Sequence, residues 1–192
     1  MQEFLQSSQY IDSEHLEIKQ KAASLVVGCE DELAIIKSCF EFVRDEIKHS
    51  WDFKMNPVTC KASDVLKYGT GYCYAKSHLL AALLRANNIP TGLCYQRLTN
   101  NDGSAPFCLH GLNAVYIQEY GWHRIDARGN NASVNTSFFP PVESLAFTID
   151  ADGEADLPEI WTEPLPNVVS VLESCQNYIE VSADLPDIAL IN

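Results

Sequence analysis

The side chain in this sequence best placed for covalent chemistry is the thiol of Cys73, within "GTGYCYAKSHLLAALLRANNIP" at residues 69–90. A glycine-bearing loop there gives way to an alanine- and leucine-rich run that predicts a helix from about Cys73 to Asn87. Cysteine attacks as its thiolate, and the unpaired N–H groups of a helix N-terminus carry about half a positive charge that favours this form. Gly69 and Gly71 would let a substrate backbone come close, and the Cys73 N–H could donate to an oxyanion. Taken alone, Cys73 has a second reading as a small buried hydrophobe, which free cysteines usually are.

A nucleophilic thiol needs an imidazole within reach, and the imidazole needs an acceptor that fixes its tautomer. The chain has five histidines. His78 lies about 140° around the same helix from Cys73 and points elsewhere. His15 and His49 fall in or near the first two helices and read as surface residues, while His123 faces away from the neighbouring acid, Asp126, by strand alternation. His110 opens the period-two run "HGLNAVYI", and Asp126 lies 16 residues on, in "GWHRIDA". A hairpin around "QEYG" would set His110 directly or diagonally opposite Asp126 on one face. Singly, either residue reads as structural; together they supply the base and the orienting carboxylate.

The elements that must position these groups follow from periodicity. Residues 13–27 predict a first helix with Asp12 or Ser13 as N-cap and Gly28 as stop. Leu33, Ile36, Phe40, Val43 and Ile47 mark a second, and "ASDVLKYG" a short one capped by Ser63 or Asp64. After the Cys73 helix come the strands "GLCYQRL", "HGLNAVYI" and "GWHRIDA". Downstream, "SFFPPVESLAF" offers a short helix, "DADGEADLPE" an acidic loop, "NVVSVLESCQNY" a last amphipathic helix, and "ADLPDIALIN" a surface strap. Helices followed by strands imply an α+β fold, with helices packed on an antiparallel sheet.

The stretches "GTGYCYAKSHLLAALLRANNIPTGL", "HGLNAVYI" and "WHRIDARGN" resemble the transglutaminase-like superfamily, over roughly residues 30–130. That resemblance implies a papain-like α+β core and a Cys-His-Asp triad: Cys73 as nucleophile, His110 as general base and acid, Asp126 orienting the imidazole. It also implies attack on an amide or peptide carbonyl through a thioester resolved by water or an amine. An aromatic donor upstream of the cysteine in relatives suggests the Trp51 indole as an oxyanion donor, against a reading of Trp51 as core packing. Tyr72 and Tyr74 could wall a substrate groove, and Arg128 and Asn130 could grip a substrate; capping and packing are their alternatives. The sequence departs from the family's common pattern at Leu112 and Ala114, and in "ARGNN" after the aspartate.

Composition bounds the rest. A chain of 192 residues with 46% hydrophobic and 20% charged residues suits one globular domain, here a core at about 30–130 and an acidic extension at about 138–192. Net charge is −13, and residues 129–192 hold 11 acids and no base, which argues against nucleic acid or anionic membrane as partners. The acidic segment would be solvated or would guard an approach against anionic substrates. Seven scattered cysteines without a CxxC pair point to reduced thiols and no zinc cage, and the N-terminus lacks a signal-peptide pattern, so a cytoplasmic location is expected. "DADGEAD" lacks the length and terminal Glu of a calcium loop. No cofactor or metal is called for. Hydrolysis of a peptide or protein substrate is favoured; the alternatives are a protein-crosslinking transglutaminase and a non-catalytic peptide-binding module.

Overall fold

A computed structural model of the protein describes residues 1–99 and 105–190. Its elements in chain order are α1 (Leu16–Leu25), α2 (Glu32–Glu46), β1 (Lys48–His49), α3 (Ser50–Phe53), α4 (Ala62–Tyr68), β2 (Thr70–Gly71), α5 (Cys73–Ala86), β3 (Thr91–Thr99), β4 (Phe107–Ile117), β5 (Gly121–Ile125), β6 (Ala155–Asp156), α6 (Pro166–Ser174) and α7 (Tyr178–Ala183).

The molecule is built around α5. Every residue from Cys73 to Arg85 is buried, and the helix packs on α1, α2 and α4 on one side and on β3 and β4 on the other. A helix apolar all round belongs in an interior, and its Ala and Leu content meets that demand at little cost in side-chain entropy. Most of its buried polar groups reach backbone carbonyls, while His78 Nε2 has no partner among the described residues. The Arg85 guanidinium donates to the carbonyls of Thr91, Gln6 and Thr162, and the Lys76 ammonium to those of Ile47 and Arg44, at the C-terminal end of α2.

The main sheet is antiparallel in the order β5-β4-β3-β6. The fold is thus α+β, with helices against one antiparallel sheet. Register places Asn113 opposite Ile125. Continued by one residue, it sets Asp126 beside Leu112, so His110 and Asp126 are diagonal neighbours on one face. A two-residue parallel pair, β1 with β2, joins the front of the molecule and sets His49 opposite Gly71.

Several local expectations need correction. The first helix begins at Leu16 after His15, because the Asp12 carboxylate is committed elsewhere: it accepts from Ser63 N–H at 3.0 Å and caps α4 from a distance. His110 is the fourth residue of its strand, which starts at Phe107, and β5 ends at Ile125. "SFFPPVESLAF" forms no helix. Its Glu143 carboxylate accepts from Arg124 N–H (3.0 Å), and its Ala146 N–H donates to Asp126 (2.9 Å), so the segment is held by the sheet instead of by its own i→i+4 bonds. The last predicted helix is two, split at Cys175, with the Asn177 side chain capping α7. Val168, Val171, Leu172 and Val181 of these helices join the same core cluster as α5.

Candidate active site

Cys73 is the first residue of α5, so its sulfur stands in the positive field of that helix N-terminus. Strand β4 crosses directly in front of it. Gly111 N–H points at Cys73 Sγ from 3.5 Å, and a Cβ on Gly111 would sit 2.9 Å from the Tyr74 ring and 3.1 Å from Tyr74 Cα. Only glycine lets the strand lie this close to the helix start, and that closeness brings His110 to the thiol.

His110 Nε2 and Asp126 Oδ2 are 2.7 Å apart. A carboxylate only accepts, so Nε2 carries the proton and Nδ1 is the nitrogen left for Cys73. Asp126 has no solvent exposure, and it also accepts from Ala146 N–H (2.9 Å) and Arg128 N–H (3.0 Å). Burial raises its pKa, yet the His110 charge and these hydrogen bonds outweigh burial and hold it below the ordinary value. The Phe147 ring meets the His110 ring edge-on, with centroids 4.9 Å apart, and shields the pair.

The electrostatics favour a thiolate–imidazolium pair. Burial pushes the Cys73 thiol up, but the His110 charge and hydrogen bonds from His110 and His49 bring it down to about 6. Burial pushes His110 down, and Asp126 and Cys73 lift it to about 10. Other thiols behave in the opposite way: burial raises Cys39, Cys60 and Cys94 to about 12.

Cys73 and His110 open onto a groove of about 790 Å³. The acidic C-terminal part supplies one wall through Leu145–Thr148, Asp150, Ala151, Glu154, Ser182 and Leu185. Trp51, Tyr72, Tyr74 and Arg128 also line the groove. Trp51 is no core residue: it is 48% exposed and stacks edge-on against Tyr178. Tyr72 is anchored by its hydroxyl, which donates to the Tyr178 carbonyl (2.6 Å), and Tyr74 likewise to Leu109. The Arg128 guanidinium is held by both oxygens of Asp52, at 2.8 and 3.1 Å. Asn130 closes its own loop by bonding Thr136 N–H at 2.7 Å.

Sequence reasoning passed over His49. It is 5% exposed, not a surface residue, and it lines the groove with its ring edge-on against Tyr72. The break in helical period at "KHSW" was the available signal, but the parallel pairing of β1 with β2 that aims the ring is non-local. His78 does point away, with Nδ1 2.8 Å from the Cys60 carbonyl. Among the described residues, no group of His, Cys, Asp and Glu is arranged to hold a metal.

The fold is similar to that of a Cytophaga hutchinsonii structure described as a putative cysteine protease: TM-score 0.53, 22% identity, 65% of this chain and 40% of that one. It is more distantly similar to the periplasmic domain of TgpA from Pseudomonas aeruginosa (TM-score 0.48, 17% identity, 65% and 45%). Red sea bream transglutaminase lies further off (TM-score 0.44, 11% identity, 58% and 26%). The chain therefore spans less than half of these structures, and no curated protein matches it. The family model of the transglutaminase-like superfamily core matches residues 19–127, more than half of the chain, which accordingly belongs to the transglutaminase-like superfamily.

Proposed function

We propose that this protein is a cysteine-dependent acyl-transfer enzyme that cleaves amide or peptide bonds through a thioester, with Cys73, His110 and Asp126 as its catalytic triad. The observation that carries the reading is the convergence of a groove-facing thiol at a helix N-terminus with an imidazole bonded to a buried carboxylate. The Cys73 thiolate adds to the carbonyl carbon, and the C=O electron pair moves to oxygen. Collapse of this adduct expels the amine, which takes its proton from His110, and leaves an acyl group on Sγ. Water then attacks the thioester carbon while His110 accepts its proton, releasing the acid and restoring the thiolate. The Cys73 N–H, one of the donors a helix leaves unpaired, serves the oxyanion.

Hydrolysis is favoured over amine transfer, and a peptide or protein is the substrate the open groove suits. Tyr72 and Tyr74 form its walls, and Trp51 stands at its rim. Arg128, locked to Asp52, contributes by fixing that wall. All seven cysteines are free thiols, which fits a reducing, cytoplasmic setting. No helix of the described residues is long and apolar enough to cross a membrane.

The test is acylation by a p-nitrophenyl ester, followed by intact-mass and peptide mapping. The acyl group is expected on Cys73, lost in Cys73→Ala, and discharged by water. Discharge chiefly to an added primary amine would establish the crosslinking alternative. Absence of any acyl adduct would leave a binding module.

A further inference from the structure

Gln96 of β3 is 1% exposed and lies directly opposite His110 in the β3–β4 register. By alternation its neighbours on the same face of β3 are Cys94 and Leu98, both buried, and Cys94 belongs to a small apolar cluster with Leu112, Ala114 and Leu145. A leucine would suit this face better than a carboxamide. Gln96 Oε1 has no hydrogen-bond partner among the described residues, and a buried unpaired oxygen costs stability. The amide nitrogen, in contrast, is fully used: Nε2 donates to the Phe147 carbonyl (3.3 Å) and to Asp156 Oδ1 (2.9 Å). A carbonyl and a carboxylate only accept, which fixes the nitrogen on their side. Asp156 is held in turn by Arg124 Nη1 at 2.7 Å, so the amide is gripped from a fixed point.

The sheet order is β5-β4-β3, and Asp126 follows the end of β5. Ala146 N–H is tied to Asp126 (2.9 Å) and the Phe147 carbonyl to Gln96, so two consecutive residues are anchored on opposite sides of β4. The chain between these anchors must cross over β4, where His110 lies. That crossing sets the Phe147 ring edge-on to the His110 ring, with centroids 4.9 Å apart, and 5.7 Å from the guanidinium carbon of Arg128. We propose that Gln96 is a positioning residue of this active site: it holds residues 146–147 across β4 so that Phe147 keeps water from the His110–Asp126 hydrogen bond. In a dry setting that bond is stronger than in a hydrated one, and it is the bond that keeps the proton on Nε2 and leaves Nδ1 for the thiol. Residues 146–147 lie beyond the 19–127 that match the family model, so the acidic extension completes the surroundings of the triad. The inference rests on the acyl-transfer reading for the use made of this bond, whereas its protection from water is readable without turnover.

Gln96→Met keeps the length of the side chain and removes its donors. Its kcat for a p-nitrophenyl ester is expected to fall about 10–10²-fold with KM little changed. The thermal midpoint should stay close to that of the wild type, because the unpaired amide oxygen leaves the interior together with the donors. Phe147→Ala, on a partly exposed segment, is expected to lose at least as much kcat, and the double variant to be no worse than Phe147→Ala, as two residues acting through one contact require. In proton NMR spectra the His110 Nε2 proton of the wild type is expected as a far-downfield resonance that persists because water does not reach it. In Gln96→Met and in Phe147→Ala it should broaden away by exchange. Unchanged kcat in Gln96→Met, additive losses in the double variant, no such resonance in the wild type, or a lowered midpoint in Gln96→Met with the resonance intact would each overturn the assignment, the last leaving Gln96 a structural residue only. A wild-type protein that turns over no ester overturns the acyl-transfer reading, and the resonance then decides the role of Gln96 alone: its loss in Gln96→Met supports the seal, and its persistence overturns it.

Discussion

Asp126 shows what one residue must satisfy here. A fully buried carboxylate is tolerated only when donors surround it, and Asp126 receives one from His110, one from Ala146 and one from Arg128. Asp126→Asn keeps the shape but removes the acceptor that holds the proton on His110 Nε2. We expect kcat to fall by about 10³–10⁴, with KM little changed, in steady-state hydrolysis of an ester; a comparable substitution in a serine protease triad has an effect of that order. Because the Asp126 pKa is lowered on folding, its contribution to stability is present above the ordinary carboxylate range and is lost as pH falls through the folded value. Acid denaturation followed by circular dichroism should therefore show Asp126→Asn losing less stability than wild type between neutral pH and pH of about 3. For the active pair, Cys73 at about 6 and His110 at about 10 set the limbs of a bell. kcat/KM should rise with pH through the first value and fall through the second.

At the scale of elements, the site depends on β4 lying tight against the first turn of α5. Gly111→Ala would place a methyl 3.1 Å from Tyr74 Cα and 3.3 Å from Tyr74 N, backbone atoms that cannot move aside as a side chain can. The strand must retreat, taking His110 from Cys73. We expect ester turnover to drop at least about 10²-fold, as a misplacement near 1 Å can do. The loss of thermal stability should be no more than the about 1–3 kcal/mol typical of overpacking, measured by denaturant melts. Leu83→Ala, deep in α5, should do the reverse, costing about 2–5 kcal/mol while leaving the groove geometry intact.

The same scale explains what the sequence made legible. Cys73, His110 and Asp126 could be chosen because residue type, helix start and hairpin spacing are local signals, and the structure does bring the three together. His49 could not, because its position depends on pairing Lys48 with Thr70 across two intervening helices. Nor could the fate of residues 137–147, whose apolar spacing suggests a helix while its backbone and acid serve Asp126 and Arg124.

At the scale of the whole molecule, charge is segregated with purpose. All 13 Lys and Arg precede residue 129, whereas the acidic remainder folds back as a groove wall carrying Asp150 and Glu154. Glu154 is already bonded by Thr99, Asp150 and Ala151, so it shapes the wall and adds fixed negative potential. Cationic peptide esters should have a higher kcat/KM than anionic ones of equal length, and the preference should shrink as salt rises above about 0.1 M, where exposed charges are screened. Equal rates at low salt would remove any steering role from this wall.

The claim beneath all of this is that one thiol out of seven is ionised near neutral pH by its surroundings. The most direct measurement is the rate of iodoacetamide labelling of each cysteine against pH, resolved by peptide mass spectrometry. Cys73 should label with a midpoint near pH 6, ahead of buried Cys39, Cys60 and Cys94, and His110→Ala should move that midpoint upward. A Cys73 that labels below pH 7 no faster than a free thiol, unaffected by His110→Ala, would contradict the account.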